Sequence, residues 1–435
     1  SSTTMEFADL EIRTPRSTIH DYLRFDYSSY ADFSDFIEVV KVKANFNKTS
    51  IHSDDLALFS NSLTGFNDIF HGEGEVSGTI ENLKSRDIQL GIGSHTSFIG
   101  AAELYGLPDI YTTRLNIKAK RFISTSKDVA KLIDLDPVPA EFSRLGDLSY
   151  SGTFLGYLDD FTAKGKASTT IGDLSLDVSY SQKADSIPAY SGTLQSDNLN
   201  LKSLLDDQAL GTTSFDLSIR GKGLSASTLT TTLSGSVHHF GYANYDYKNI
   251  RIDGNVADRL FTGNFNITDP SFNFDFTGIL DIRDTIPSIG ITTNVTGINL
   301  KTLGLDSADN FVQFTGDINL TGDDIDNLSG SVVLDSFRLI NGERTYIIKN
   351  VNLIADIKPN NRHYNLTSDL ASIDITGDFL PSELSDMAAY MQHIIYPSNW
   401  DKPEKPLLSK DINLAINVLS YNPVFDEYLS GLYFD

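Results

Sequence analysis

The stretch FNFDFTGILDI, residues 272–282, decides how the chain is read. Phe272, Phe274, Phe276, Leu280 and Ile282 share one parity, with Gly278 among them. Asn273, Asp275, Thr277 and Asp281 take the other, and only Ile279 is out of place. Side chains of a strand alternate between faces, so the stretch has one apolar and one wet face. Fully burying a Phe side chain is worth about 1.5–3 kcal/mol. Three in a row on one face will therefore be covered, either by another sheet or by something that is not protein.

The same alternation recurs along the chain. RLNIKAK (114–120), DLSLDVSY (173–180), SFDLSIRG (214–221), NIRIDGNV (249–256), GNFNITD (263–269) and DINLAINV (411–418) all run at period two between turn-forming residues. That is the strand-and-turn signature. At about 12 residues per strand and turn, about 35 strands are expected. Helical periodicity is scarce. The best candidate is 381–396, with Ser382 as cap, Leu384, Met387, Met391 and Ile394/Ile395 on one side, and Pro397 as stop. A shorter one is DDLALFSNSL (54–63).

Ten strands carry the pattern apolar-x-Gly-x-apolar, with the Gly at residues 78, 152, 192, 235, 254, 263, 278, 316, 330 and 377. Each places a glycine on the apolar face. A mid-strand glycine weakens a strand and marks a bend or a close approach. Relief of crowding between packed sheets explains one or two copies; ten argue for a sheet that curves the same way repeatedly. A looser repeat joins a strand to a short helical run: RFISTSKDVAKLI (121–133), LQSDNLNLKSLL (194–205) and ITTNVTGINLKTLGL (291–305). No linker is evident, so 1–435 reads as one continuous segment, with subdivisions at 1–145, 146–305 and 306–435.

Composition excludes several classes. The 435 residues carry 34 basic and 58 acidic side chains, a net charge of −24, which disfavours nucleic acid as a partner. There is no cysteine, so thiolate metal sites, disulfides and cysteine nucleophiles are absent. No run of 18 apolar residues occurs. The first residues, SSTTMEFADLEI, read like the interior of a longer protein.

No catalytic or cofactor motif stands out, and no catalytic, cofactor or metal residues are assigned. His238–His239 is the only histidine pair, and adjacent strand residues point to opposite faces. The aspartate pairs 54/55, 159/160, 206/207 and 323/324 sit beside turn residues, and TGDDIDN (321–327) lacks the acidic spacing of a calcium loop. GEGEVSG (72–78) has the wrong spacing for a phosphate loop.

Several stretches together resemble the middle of TamB-type translocation and assembly module subunits, within the AsmA-like, bridge-like lipid-transfer group. They are LRFDYSSYADFSDFIEVVKVKANFNKTSIHSDDLALF (23–59), GEGEVSGTIENLKSRDIQL (72–90), IGAAELYGLPDIYTTRLNIKAKRFISTSKDVAKLI (99–133), LSYSGTFLGYLDDFTAKGKASTTIGDLSLDV (148–178) and FNITDPSFNFDFTGILD (265–281). The resemblance covers most of residues 10–380. It implies an all-β fold: a long, curved antiparallel sheet forming a taco-like groove with β-helical twist, an apolar interior and a few short helices. It also implies a place in the periplasm of a diderm bacterium, an inner-membrane tether outside this chain, and phospholipid acyl chains as partner. A TamA/BamA-type outer-membrane barrel would be met through parts not identifiable here.

The expected function is conduction of phospholipid acyl chains between membranes, in support of outer-membrane biogenesis, and not enzymatic turnover. The residues expected to line the groove share the glycine parity: Phe154, Leu194, Leu217, Ile219, Phe261, Phe265, Phe272, Phe274, Phe276, Leu280, Phe314 and Ile318. Two other readings stand beside it. One is a scaffold that pairs strands of nascent outer-membrane barrels at a sheet edge. The other is an extracellular β-sandwich adhesin, for which Trp400 is the only tryptophan.

Overall fold

The computed structural model describes residues 3–58, 66–133, 137–183, 186–225, 228–302, 308–358, 361–384, 386–387, 390, 393, 411–421 and 423. The chain is all-β, 66% strand and 11% helix, in one antiparallel sheet of 23 strands that is not closed into a barrel. It divides into two compact units, 1–224 with 235–246, and 225–234 with 247–435.

The first unit holds β1 (Thr3–Arg13), β2 (Thr18–Tyr27), β3 (Lys41–His52), β4 (Ile69–Gly78), β5 (Asn82–Ile92), β6 (Thr96–Tyr105), β7 (Arg114–Thr125), β8 (Asp147–Gly156), β9 (Asp160–Thr169), β10 (Gly172–Ser181), β11 (Ala189–Asn200) and β12 (Leu210–Lys222). The division falls within β13 (Thr230–Tyr242) and β14 (Tyr245–Ala257). The second unit continues with β15 (Leu260–Thr268), β16 (Phe272–Asp281), β17 (Ser288–Asn299), β18 (Phe311–Thr321), β19 (Ser329–Asn341), β20 (Arg344–Lys358), β21 (Asn361–Thr367), β22 (Ala371–Gly377) and β23 (Ile412–Val418). Within each unit the strands form a meander, each antiparallel to the next, for example β8 to β9 and β15 to β16. The 23 described strands fall short of the 35 expected because many run to 10–13 residues and helical inserts take up chain between them.

The short helices are α1 (Phe36–Val39), α2 (Ser53–Leu56), α3 (Ser126–Leu132), α4 (Ala140–Arg144) and α5 (Leu201–Leu205). Three of them follow a bulged strand. The register slips between Phe46 and Thr49 before α2, between Ala119 and Phe122 before α3, and between Ser196 and Leu199 before α5. A capping side chain then accepts an orphan amide: His52 from Asp54 (3.2 Å), Thr125 from Asp128 (3.1 Å) and Asn200 from Ser203 (3.0 Å). In the second unit β17 repeats the device, with a slip between Val295 and Ile298 and Asn299 accepting from Lys301 at 3.0 Å. Hydroxyls buried beside these slips satisfy the neighbouring strand: Ser196 donates to the Asp173 carbonyl (2.6 Å) and Thr293 to that of Asp275 (2.8 Å).

Ser382 does not cap the helix expected over 381–396. A 3-10 turn starts at Pro381, and the amide and hydroxyl of Ser382 both donate to Asp326 at 2.8 Å. Leu384 and Met387 are helical as expected, whereas Met391, Ile394, Ile395 and Pro397 lie outside the described residues.

The repeated glycines have a steric cause. At all ten positions a Cβ would come within 3.0 Å of a backbone oxygen on the next strand. This close approach, a crease between neighbouring backbones, leaves no room for a side chain on the glycine. Gly263 is the clearest case, because it sits between Gly254 on β14 and Gly278 on β16. Gly263→Ala is expected to destabilise the second unit by about 1–3 kcal/mol, the usual cost of overpacking. Gly297→Ala is the control, since its Cβ would meet nothing within 4 Å. Chemical denaturation should separate the two; equal effects would show that the crease does not need glycine.

Candidate functional site

The cross-strand register assembles the alternation of single strands into continuous rows. In the first unit one row runs Met5, Phe25, Val42, Gly78, Leu83, Leu104, Leu115, Gly156, Phe161, Tyr180, Tyr190, Gly221, one residue from each strand β1 to β12. No charged residue interrupts it. At about 4.8 Å per strand it is about 53 Å long. In the second unit a row runs Gly254, Gly263, Gly278, Ile291, Ile318, Val332, Leu353, Leu366, Ile373, Ile416 across β14 to β23, about 43 Å by the same spacing.

The expected lining residues fall on this face in both units. Phe154 and Ile219 share the row Ile117, Phe154, Ala163, Val178, Gly192, Ile219, and Leu194 pairs directly with Leu217. In the second unit Phe265 lies opposite Phe276, Phe261 opposite Leu280, and Phe314 opposite Phe337. The rings of Phe265 and Phe276 stack at 5.2 Å, with Phe274 at 6.4 Å from both. Ile318 is in the long row itself. Phe272 differs from the rest: it is 5% exposed, packed on Tyr247 at 5.0 Å, and serves as core. Leu280, at 40%, is the most exposed of the twelve.

Burial along the face is incomplete. Phe161, Tyr180, Tyr190, Ile291, Val332 and Leu353 are all half-buried, although each lies on an inner strand on the apolar side. The inner positions of two packed sheets would be buried outright. Among the described residues, two places where the chain covers this face with its own side chains stand out. Over β2 and β3, Phe33 and Phe36 pack on Phe25 at 6.2 and 5.5 Å, and Val40 is fully buried. Over β21 to β23, Phe379 and Met387 form a buried cluster with Ile375, packed by Tyr364, Leu384, Ile412 and Leu414.

The opposite face is charged. Lys164 pairs with Asp177 across β9 and β10 at 2.7 Å, and Arg24 with Asp26 at 2.8 Å. The electrostatics of the two faces differ accordingly. Burial pushes up the hydroxyls of Tyr150, Tyr180 and Tyr364, all on the apolar face. On the charged face the hydrogen bond from His363 holds the Asp374 carboxyl down.

Sites for other chemistry do not assemble. His238 pairs with Asp216 (2.9 Å) and His239 with Asp246, so the adjacent histidines serve different partners. In TGDDIDN, Asp324 caps the amide of Asp326 (2.9 Å) and Asp326 holds Ser382. Among the described residues no three His, Asp or Glu side chains converge as metal ligands. Trp400 lies outside the described residues.

Sequence reasoning did not single out Leu83, Leu104, Leu115, Phe161 and Tyr180, which lie between copies of the glycine motif, nor Tyr190, which opens the copy at Gly192. Their alternation was the available signal.

Asp281, which ends the phenylalanine strand, accepts the Arg283 guanidinium Nε (2.9 Å) and amide (3.0 Å), which hold its carboxyl at about 2. A depressed folded value adds stability above the unfolded pKa of about 3.9, and that stability is lost as pH falls toward 2. Carboxyl NMR titration should place Asp281 near 2 in the native chain and move it upward in R283Q; an unchanged midpoint would remove Arg283 as the cause.

Comparison of the chain with models of known families, with curated proteins and with solved structures finds no match.

Proposed function

We propose that the apolar face is a groove for phospholipid acyl chains, and that the chain conducts lipid between the two membranes of a diderm envelope, as TamB-type proteins do. One observation carries the reading: rows of apolar side chains and glycine cross β1 to β12 and β14 to β23 without a charge, and most of their members are only half-buried. Each row exceeds the roughly 15 Å that an acyl tail spans in half a bilayer core. A tail on such a surface gains about 0.8 kcal/mol per buried CH₂. Similar side chains recur at every strand, so that gain changes little as the tail moves. No step needs bond chemistry. A strand-pairing scaffold would use the backbone of a sheet edge, whereas the feature repeated here is a face.

Photocrosslinking tests this in cells. A probe at Phe274, half-buried on the apolar face, is expected to give phospholipid adducts, and one at Asp275, exposed on the other face, none. Adducts at neither or both positions would overturn the reading. Replacing Ile291, Ile318 and Val332 together by Asp, one row across three strands, should abolish lipid uptake. Phe276→Ala alone should lower it less than twofold, since its neighbours Phe265 and Phe274 remain.

A further inference from the structure

Among the described residues β1 and β23 each pair with one neighbour only, β2 and β22. A strand open on one side offers its amides and carbonyls to any other strand, and proteins blunt such edges with charge or a bulge. β1 has both. Glu6, Asp9, Glu11 and Arg13 lie along it, and its register slips between Phe7 and Leu10, with Asp9 at φ 55°. β23 has neither. From Ile412 to Tyr421 there is no charge, proline or glycine, and the strand pairs with β22 in unbroken register over its seven residues. Ala415, Ile416, Asn417 and Val418 are exposed on both faces of the sheet, Ile416 by 55% and Val418 by 41%.

The sequence of β23 is its own complement. Turned about an axis through Ala415 and normal to the sheet, INLAINV lies antiparallel to itself, with Ile412 opposite Val418, Asn413 opposite Asn417 and Leu414 opposite Ile416 of the second strand. Apolar residues meet apolar ones, amides meet amides, and such an axis leaves the apolar faces of both copies on the same side. The cover over β21 to β23 fits the same arrangement. It packs on Ile412 and Leu414 and leaves Ile416 and Val418 bare. In the pair, the bare half of each strand lies beside the covered half of the other. Charge favours the same place. The chain carries −24, yet this edge is neutral. Asp374, opposite Ala415 on β22, is bonded by His363 and Asn365 at 2.8 Å. It would stand three strand spacings from its counterpart, about 14 Å, beyond the screening length of about 10 Å at 0.1 M salt.

We propose that β23 is a dimerisation edge: a second copy of this chain pairs with it antiparallel about Ala415 and continues the sheet and its apolar face. The inference goes beyond the lipid reading and does not depend on it.

Cysteine substitution in the full chain tests it, since the chain has no cysteine of its own. A415C is expected to form a disulfide-linked dimer under mild oxidation, because cross-strand partners stand about 4.5–5.5 Å apart, within disulfide reach. N413C alone should not link, whereas N413C mixed with N417C should. Sedimentation of the native chain is expected to show a concentration-dependent dimer. N413D/N417D, checked for folding by thermal melting, should weaken it about tenfold by setting like charges opposite one another, and mixing that variant with N413K/N417K should restore it. A native chain that stays monomeric overturns the proposal, and so does a dimer in which N413C links to itself as readily as A415C. A monomer whose β23 amides all exchange slowly would mean that the edge is taken up within the chain. A monomer that binds an added peptide of the β23 sequence would make the edge an acceptor for foreign strands. Either outcome overturns the second copy as occupant.

Discussion

The close approach of neighbouring backbones at ten glycines sets the terms for everything else in this sheet. A backbone oxygen of the neighbouring strand lies within 3.0 Å of where each Cβ would stand, so these positions must carry glycine. At Gly152 that oxygen, of Lys164, is satisfied by the hydroxyl of Tyr150 at 3.1 Å, so the crease costs no orphaned acceptor there. Once the crease exists, the side chains on either side of it converge on one another. Phe265, Phe274 and Phe276 meet in this way, and so do Phe154, Phe161 and Tyr180, whose rings stack in sequence at 4.7 and 5.3 Å.

Convergence without full burial is an unusual balance for so much apolar surface. Among the described residues the chain covers this face with its own side chains over β2 and β3 and over β21 to β23. The second cover is also latched, through Ser382 to Asp326 and through Arg362, whose Nε donates to the Asp326 carbonyl at 3.4 Å. Between such covers, burial pushes up the Tyr180 hydroxyl, while the reverse face keeps Lys164 and Asp177 exposed.

Much of this was legible in the sequence because a strand has a strict period of two. FNFDFTGILDI declared its faces residue by residue, and the repeated glycines marked the positions where neighbouring backbones come close. The helical runs at 126–132 and 201–205 were marked by the strand-and-helix repeat, and each starts at a capping side chain. What could not be read was anything that depends on register. Leu104 and Leu115 gain meaning only when β6 is laid beside β7. The 381–396 segment was seen as helical, but its turn is set by Asp326, more than fifty residues earlier, which no local pattern announces. Phe272 shared the parity of its neighbours and still became core, because Tyr247 lies over it.

The glycine crease also bears on how such a chain can change over time. Each strand is asked for little: one glycine at the crease, an apolar residue on alternate positions, a polar one between. Leu, Ile, Val and Phe are nearly interchangeable on a half-buried surface, and the outer face tolerates almost any polar side chain. A sheet specified so loosely can accept substitutions at most positions while its strands keep their order, and two copies of it could drift until pairwise identity carries no signal. The marks that would outlast that drift are the spacing of the glycines and the bulge-and-cap units, not the identity of any lining residue.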